Sequence, residues 1–115
     1  MADHGARVIK VENPRAPEPT RSAEAFPWQQ GGETVMFRNT QRGKESIALD
    51  LKTGAGKRAL LALAKRVDVV VEAFRPGVAK RLGIDFETLS AENPKLVYCS
   101  ISAFGQTGPW RDKPA

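Results

Sequence analysis

The chain has 115 residues, 41% of them hydrophobic and 27% charged, and it carries a formal net charge of +5. That length fits one domain, and the balance of apolar and charged residues is that of a globular protein. It excludes a disordered tail, a collagen-like chain and a disulfide scaffold, the last because Cys99 is the only cysteine.

Val8-Ile9-Lys10-Val11-Glu12 is short and β-branched and stops at Asn13-Pro14, which predicts a buried strand. Asn13 to Glu33 is rich in Pro and polar residues and reads as one long loop. Thr34 to Phe37 is a short apolar piece whose type the pattern leaves open. After a turn at Arg42-Gly43-Lys44, Ser46 to Leu51 alternates as a second strand does. Asp50 and Lys52 would share a face of that strand and pair.

Thr53 is a candidate N-cap for the clearest helix, with Leu60, Leu63, Ala64 and Val67 on one face and Lys57, Arg58, Lys65 and Arg66 off it. Val69-Val70-Val71 is a continuous apolar run, as in a parallel strand covered on both faces. A turn at Phe74-Arg75-Pro76-Gly77 leads to a short helix over Val78–Leu82, with Gly83 as its stop. A further helix over Phe86–Glu92 ends before Asn93-Pro94, and Leu96–Ser102 reads as another buried strand. Ala103 to Ala115 is Gly/Pro-rich and aperiodic. Strands separated by helical crossovers predict an α/β fold: a Rossmann-like parallel sheet with helices on both faces. In such sheets ligands bind beyond the carboxyl ends of the strands, which here are Glu72–Arg75 and Ser102–Gly105.

The inventory for catalysis is thin. His4 is the only histidine and reads as a surface or helix-end residue; Cys99, inside an apolar strand, reads as a small buried hydrophobe. One Cys and one His argue against a metal site. Glu72 is either a ligand contact or an exposed or Arg-paired carboxylate. Phe74 and Arg75 offer a flat ring beside a forked cation, which suits a nucleotide, or else they seal a helix edge. Basic residues run from Arg7 to Lys113 with no like-charge block and no zinc or RNA-binding signature, which points away from nucleic acid and from a membrane surface. No apolar run approaches the ~20 residues of a membrane helix, and the N-terminus lacks the apolar core of a secretory signal. With a single cysteine, a cytoplasmic setting is expected.

Three segments, in order and spacing, carry a resemblance: Ser46–Thr53 (SIALDLKT), Glu72–Gly83 (EAFRPGVAKRLG) and Asn93–Pro109 (NPKLVYCSISAFGQTGP). Together they resemble the class III CoA-transferases, the CaiB/BaiF family, and Ala2–Glu12 is similar to that family's second strand and its approach. The resemblance implies a large Rossmann-like domain, present here only in part, and two whole chains threaded as an interlocked homodimer. It implies coenzyme A, bound as acyl-CoA, and a carboxylic acid as the reactants. In the transferases an aspartate carboxylate attacks the acyl-CoA. In the related 2-methylacyl-CoA racemases a His/Asp pair handles the proton beside the thioester carbonyl.

By motif match, Leu49 and Lys52 are similar to the family's CoA-contacting positions. Ala73, Phe74 and Arg75 correspond to its Asn-Phe-Arg, Arg81 to the basic residue before the helix-ending Gly, and Lys113 completes the set. Ala73 departs from the usual Asn and blurs transferase against racemase; Ala103 stands for Gly, and Gly54 for Pro. Family chains begin earlier and continue well past Ala115, and no residue here matches the nucleophilic aspartate or the racemase pair. The expectation is an internal piece of an enzyme that binds CoA, lacks the nucleophile and leaves apolar surface exposed. The alternatives are a fragment of a 2-methylacyl-CoA racemase and a non-catalytic CoA- or nucleotide-binding module.

Overall fold

The computed structural model describes residues 1–16, 18–21, 28–30 and 32–113. They form two compact units, Met1–Asp50 and Leu51–Ala115.

The first unit opens with a 3-10 turn, Ala2–His4, which places His4 at an exposed helix end. Then come β1 (Val8–Glu12), β2 (Gln29–Gln30), β3 (Glu33–Thr34), α1 (Val35–Gln41) and β4 (Lys44–Ala48). β1 and β4 are parallel, in register from Val8↔Lys44 to Glu12↔Ala48, while β2 and β3 form a small antiparallel pair. The Pro-rich segment is therefore more than loop among its described residues: it holds a 3-10 turn at Pro19–Arg21 and most of that hairpin.

Thr34 resolves the piece the pattern leaves open. It ends β3, is fully buried, and accepts a hydrogen bond from the Phe37 amide at 3.0 Å as the N-cap of α1. Its hydroxyl also donates to the Thr20 carbonyl, which ties the 3-10 turn to the helix start. Phe37 is the one buried residue of α1, so this helix has no apolar period to detect.

β1 lies half-buried along its length and is held by charge. The Glu12 carboxylate takes Lys10 at 2.9 Å, Arg21 at 2.9 Å and the Ser46 hydroxyl at 2.8 Å. Lys10 also pairs with Glu18, and the Arg21 guanidinium lies 4.0 Å above the Phe37 ring. The Lys10 ammonium, with help from Ser46 and Arg21, pulls the Glu12 pKa down to about 2 against the opposing effect of burial.

The second unit contains α2 (Gly54–Ala64), β5 (Val69–Glu72), α3 (Val78–Leu82), α4 (Phe86–Glu92) and β6 (Val97–Ser100). The Thr53 hydroxyl caps α2 by accepting from the Gly56 amide at 3.1 Å, and Asp85 caps α4 by accepting from the Thr88 amide at 2.9 Å. Ala64, Ile84, Leu89 and Leu96 make the buried core, with Leu60, Leu61, Val67, Val70 and Tyr98 packed against it. Leu61 thus joins the core, whereas Leu63 of the expected stripe is half-buried and lies outside the cluster. Asn93 does more than end α4: its amide nitrogen donates to the Ala64 and Val67 carbonyls, both at 2.9 Å, and so closes the C-terminal end of α2.

β5 and β6 pair in parallel, from Val69↔Val97 to Glu72↔Ser100. Their alternation corrects the expectation of burial on both faces. Val70 and Tyr98 face the core, whereas Val71 is 50% and Val97 60% exposed on the opposite face. A run of three valines makes both faces equally apolar, so its composition does not tell which one is covered. Cys99 shares the open face opposite Val71 and is exposed, not the buried hydrophobe that its apolar strand implied. The second expected strand of the first unit is also shifted, to Lys44–Ala48, so Asp50 and Lys52 lie beyond it. Asp50 takes the Arg15 guanidinium at 3.2 Å. The architecture is α/β with parallel strand pairs, as the alternation of patterns predicts. Among the described residues no helix is long and apolar enough to cross a membrane.

Candidate functional site

Parallel pairing of β5 with β6 brings their carboxyl ends side by side, Glu72 against Ser100, with the Ile101 amide donating to the Glu72 carbonyl at 2.8 Å. Beyond β5 the chain turns at once. The Glu72 carboxylate accepts from the Phe74 amide at 2.6 Å, which fixes the first step of the turn. The Val78 amide bonds back to the Arg75 carbonyl at 3.1 Å, and Gly77 takes φ +80°, a conformation that favours glycine. Glu72 is therefore used by its own turn.

Ala73, Phe74 and Arg75 are consecutive on this turn, and all three are exposed. The Arg75 guanidinium has no side-chain partner among the described residues. α3 follows, and Arg81 lies exposed in its last turn, likewise without a partner among those residues. The helix ends in a Schellman turn: the Gly83 amide bonds to the Lys80 carbonyl and the Ile84 amide to that of Ala79, both at 3.0 Å. Ile84 is drawn into the core, and its carbonyl receives the Tyr98 hydroxyl at 3.2 Å. Burial, helped by the negative charges of Glu72 and Asp85, pushes the Tyr98 phenol up to about 12, so Tyr98 stays a neutral donor that anchors this corner.

The segment after β6 forms a second exposed group. Gln106 donates to the Ser100 hydroxyl at 2.8 Å, returning the chain to the strand end. Phe104 meets Trp110 edge-to-face, with centroids 6.0 Å apart. The Lys113 ammonium stands 4.4 Å over the Trp110 ring. Lys52 is exposed in the turn that precedes the Thr53 cap. Leu49 belongs to the first unit, where its amide donates to the Glu12 carbonyl at 2.9 Å.

The structure thus gathers Ala73, Phe74, Arg75 and Arg81 on one turn and the short helix it opens, and sets Lys113 on the segment leaving the neighbouring strand. Two concave surfaces among the described residues lie in the first unit: one of about 480 Å³ along α1, and one of about 210 Å³ beside Lys10, Arg21 and Phe37. No expected site residue lines either. Trp110 is the residue that the motif reading passed over; a Lys three positions after a Trp in a turn-rich segment is the signal that finds it.

The sequence profile of CoA-transferase family III matches residues 1–115. The succinate–glutarate CoA-transferase of Agrobacterium fabrum is 48% identical over 117 residues, an alignment covering 97% of this chain and 29% of that protein. The acetyl-CoA:oxalate CoA-transferase of Acetobacter aceti is 43% identical over 115 residues, covering 100% of this chain and 29% of its own length. The crystal structure of a CAIB/BAIF family protein from Brucella suis matches with a TM-score of 0.85 at 40% identity, over 95% of this chain and 29% of that one. The chain therefore spans 29% of the length of these curated relatives. With the family profile matched along the whole sequence and the parallel α/β corner in place, the chain belongs to CoA-transferase family III.

Proposed function

We propose that this chain contributes coenzyme A binding to an enzyme that moves CoA between carboxylic acids. The observation that carries the reading is the turn after β5. There an exposed ring, Phe74, sits beside a guanidinium with no partner among the described residues, Arg75, at the carboxyl end of a parallel strand in a CoA-transferase family chain. CoA is a polyanion with a flat base. Arg75 and Arg81 meet its phosphates with charge-assisted forked bonds, and Phe74 offers a face to the adenine. Ala73 has no side-chain amide, so the backbone supplies any hydrogen bond there. Lys52 and Lys113 complete the proposed contacts of the second unit, and Leu49 is a separate proposed contact of the first.

The transfer itself proceeds through an aspartyl intermediate. The carboxylate oxygen bonds to the acyl carbon while the carbon–sulfur bond breaks and CoA thiolate leaves. The thiolate then attacks the aspartyl carbonyl, which releases the acyl group as a carboxylate and leaves CoA in thioester linkage with the enzyme. None of these 115 residues matches that aspartate, so the role of the chain is to hold CoA in place for it. A cytoplasmic setting is supported by the single exposed free thiol, Cys99. An interlocked homodimer of the whole protein is supported by the open apolar face of β5 and β6.

Titration calorimetry with CoA tests the reading. The chain is expected to bind CoA, and Arg75→Ala to weaken binding about tenfold, the size of one charge-assisted bond. A chain that takes up no CoA, or an Arg75→Ala variant that binds as tightly as the parent, would overturn it.

A further inference from the structure

The expected CoA contact at Lys113 has a neighbour that no motif assigns. The Lys113 ammonium lies 4.4 Å from the centroid of the Trp110 ring, within the range of a cation–π contact, and the Lys113 amide bonds to the Trp110 carbonyl at 2.9 Å. Trp110 is itself braced: Phe104 meets it edge-to-face at 6.0 Å and 89°, and Gln106, between the two, is tied to Ser100 at the end of β6. Among the described residues the segment has no helix or strand of its own after Ser100, so these contacts are what set a long, flexible lysine in one direction.

We infer that Trp110 is a positioning residue for anion recognition, holding the Lys113 ammonium over its ring so that the charge faces a phosphate of the bound coenzyme. The inference rests on the CoA-binding reading and adds to it a residue that touches the ligand only through Lys113. Ordering a lysine before the ligand arrives lowers the entropic cost of binding. The ring still leaves the outward side of the ammonium open for an oxygen. Tyr and Phe hold a cation less well than Trp, so the identity of the ring matters.

A double-mutant cycle on the full chain tests it, with CoA as the probe and the dissociation constant read by calorimetry. Trp110→Ala is expected to weaken CoA binding about two- to fivefold, and Trp110→Phe by less. In a Lys113→Ala background, Trp110→Ala is expected to change nothing further. A spectroscopic readout guards against a misfolded variant. With Trp28→Phe as background, Trp110 is the remaining indole, and its emission is expected to change on CoA addition and to lose that response in Lys113→Ala. If Trp110→Ala binds CoA as the parent does, if its effect persists without Lys113, or if the emission response survives loss of Lys113, the inference is overturned and the CoA reading stands. If the parent chain binds no CoA, both fall.

Discussion

In Met1–Asp50 the strands β1 and β4 are clamped by Lys10, Glu12, Arg21 and Ser46, whereas in Leu51–Ala115 the strands β5 and β6 rest on Ala64, Ile84, Leu89 and Leu96. Among its described residues the first unit buries a single large hydrophobic side chain, Phe37, and even that ring is roofed by the Arg21 guanidinium. The second buries four apolar residues in one cluster and gathers eight more against it. Ion pairs are directional and sensitive to pH; apolar contacts are neither. The two units are therefore expected to respond to different perturbations, and the candidate CoA contacts lie mainly on the unit built from apolar packing.

The largest expected effect is on the apolar side. Leu89 is 1% exposed at the centre of its cluster, so Leu89→Ala should remove about 2–5 kcal/mol from the second unit. Hydrogen exchange of the β5 and β6 amides measures it; an unchanged exchange rate would mean that the cluster does not hold those strands.

Next comes the clamp. Glu12→Gln leaves two cations without their shared counter-charge and should cost the first unit about 1–3 kcal/mol, read from exchange in β1 and β4. The same carboxylate sets a pH window. Its folded pKa, about 2, lies below the ordinary value of 4.5. The stabilisation it gives is thus complete above about pH 4.5 and fades as pH falls from there toward 2. Acid titration of the Glu12→Gln variant should show a shallower loss than the parent over that interval, whereas Leu89→Ala should keep the parent's slope.

Gly83 gives a smaller effect. It ends α3 at φ +66°, and a Cβ there would run into the Lys57 ammonium. The lysine tail is free to move, so the backbone conformation dominates, and Gly83→Ala should cost about 1 kcal/mol. Thermal melts of Gly83→Ala with and without Lys57→Ala separate the two contributions; a full rescue by Lys57→Ala would show that the contact, not φ, decides.

The smallest effect belongs to Arg7, which meets Glu45 at 2.7 Å in a fully solvated pair. Although the Arg7 hydrogen bond and charge lower the Glu45 pKa, Arg7→Ala should leave the melting midpoint where it is at physiological salt. A clear drop would mean that surface charge contributes to the first unit beyond the Glu12 clamp.

The elements that were legible in the sequence are those set by local rules. Val8–Glu12 is a strand with the expected bounds, since β-branched residues stop at Asn-Pro. Thr53, Gly83 and the Phe86–Glu92 helix stand where capping chemistry puts them. α1 was illegible because one buried ring makes no period. The Glu12 clamp was illegible because its partners are 2, 9 and 34 residues away along the chain. At the candidate site, Ala73–Arg75 could be placed past a strand end from the apolar run before them. Trp110 could not be joined to Lys113 by any period, because the segment between has none.

By itself the sequence determined the family, the alternation of strand and helix, and the residue types at the strand ends, because caps, breakers and motifs act over a few neighbouring positions. Only the tertiary structure decided which face of the valine strand is covered, that Cys99 is exposed, that β5 and β6 end side by side, and that Glu12 has three partners. Those outcomes depend on strand register and on contacts between segments far apart in the chain, where the same side chain serves either face equally well until a neighbour is chosen.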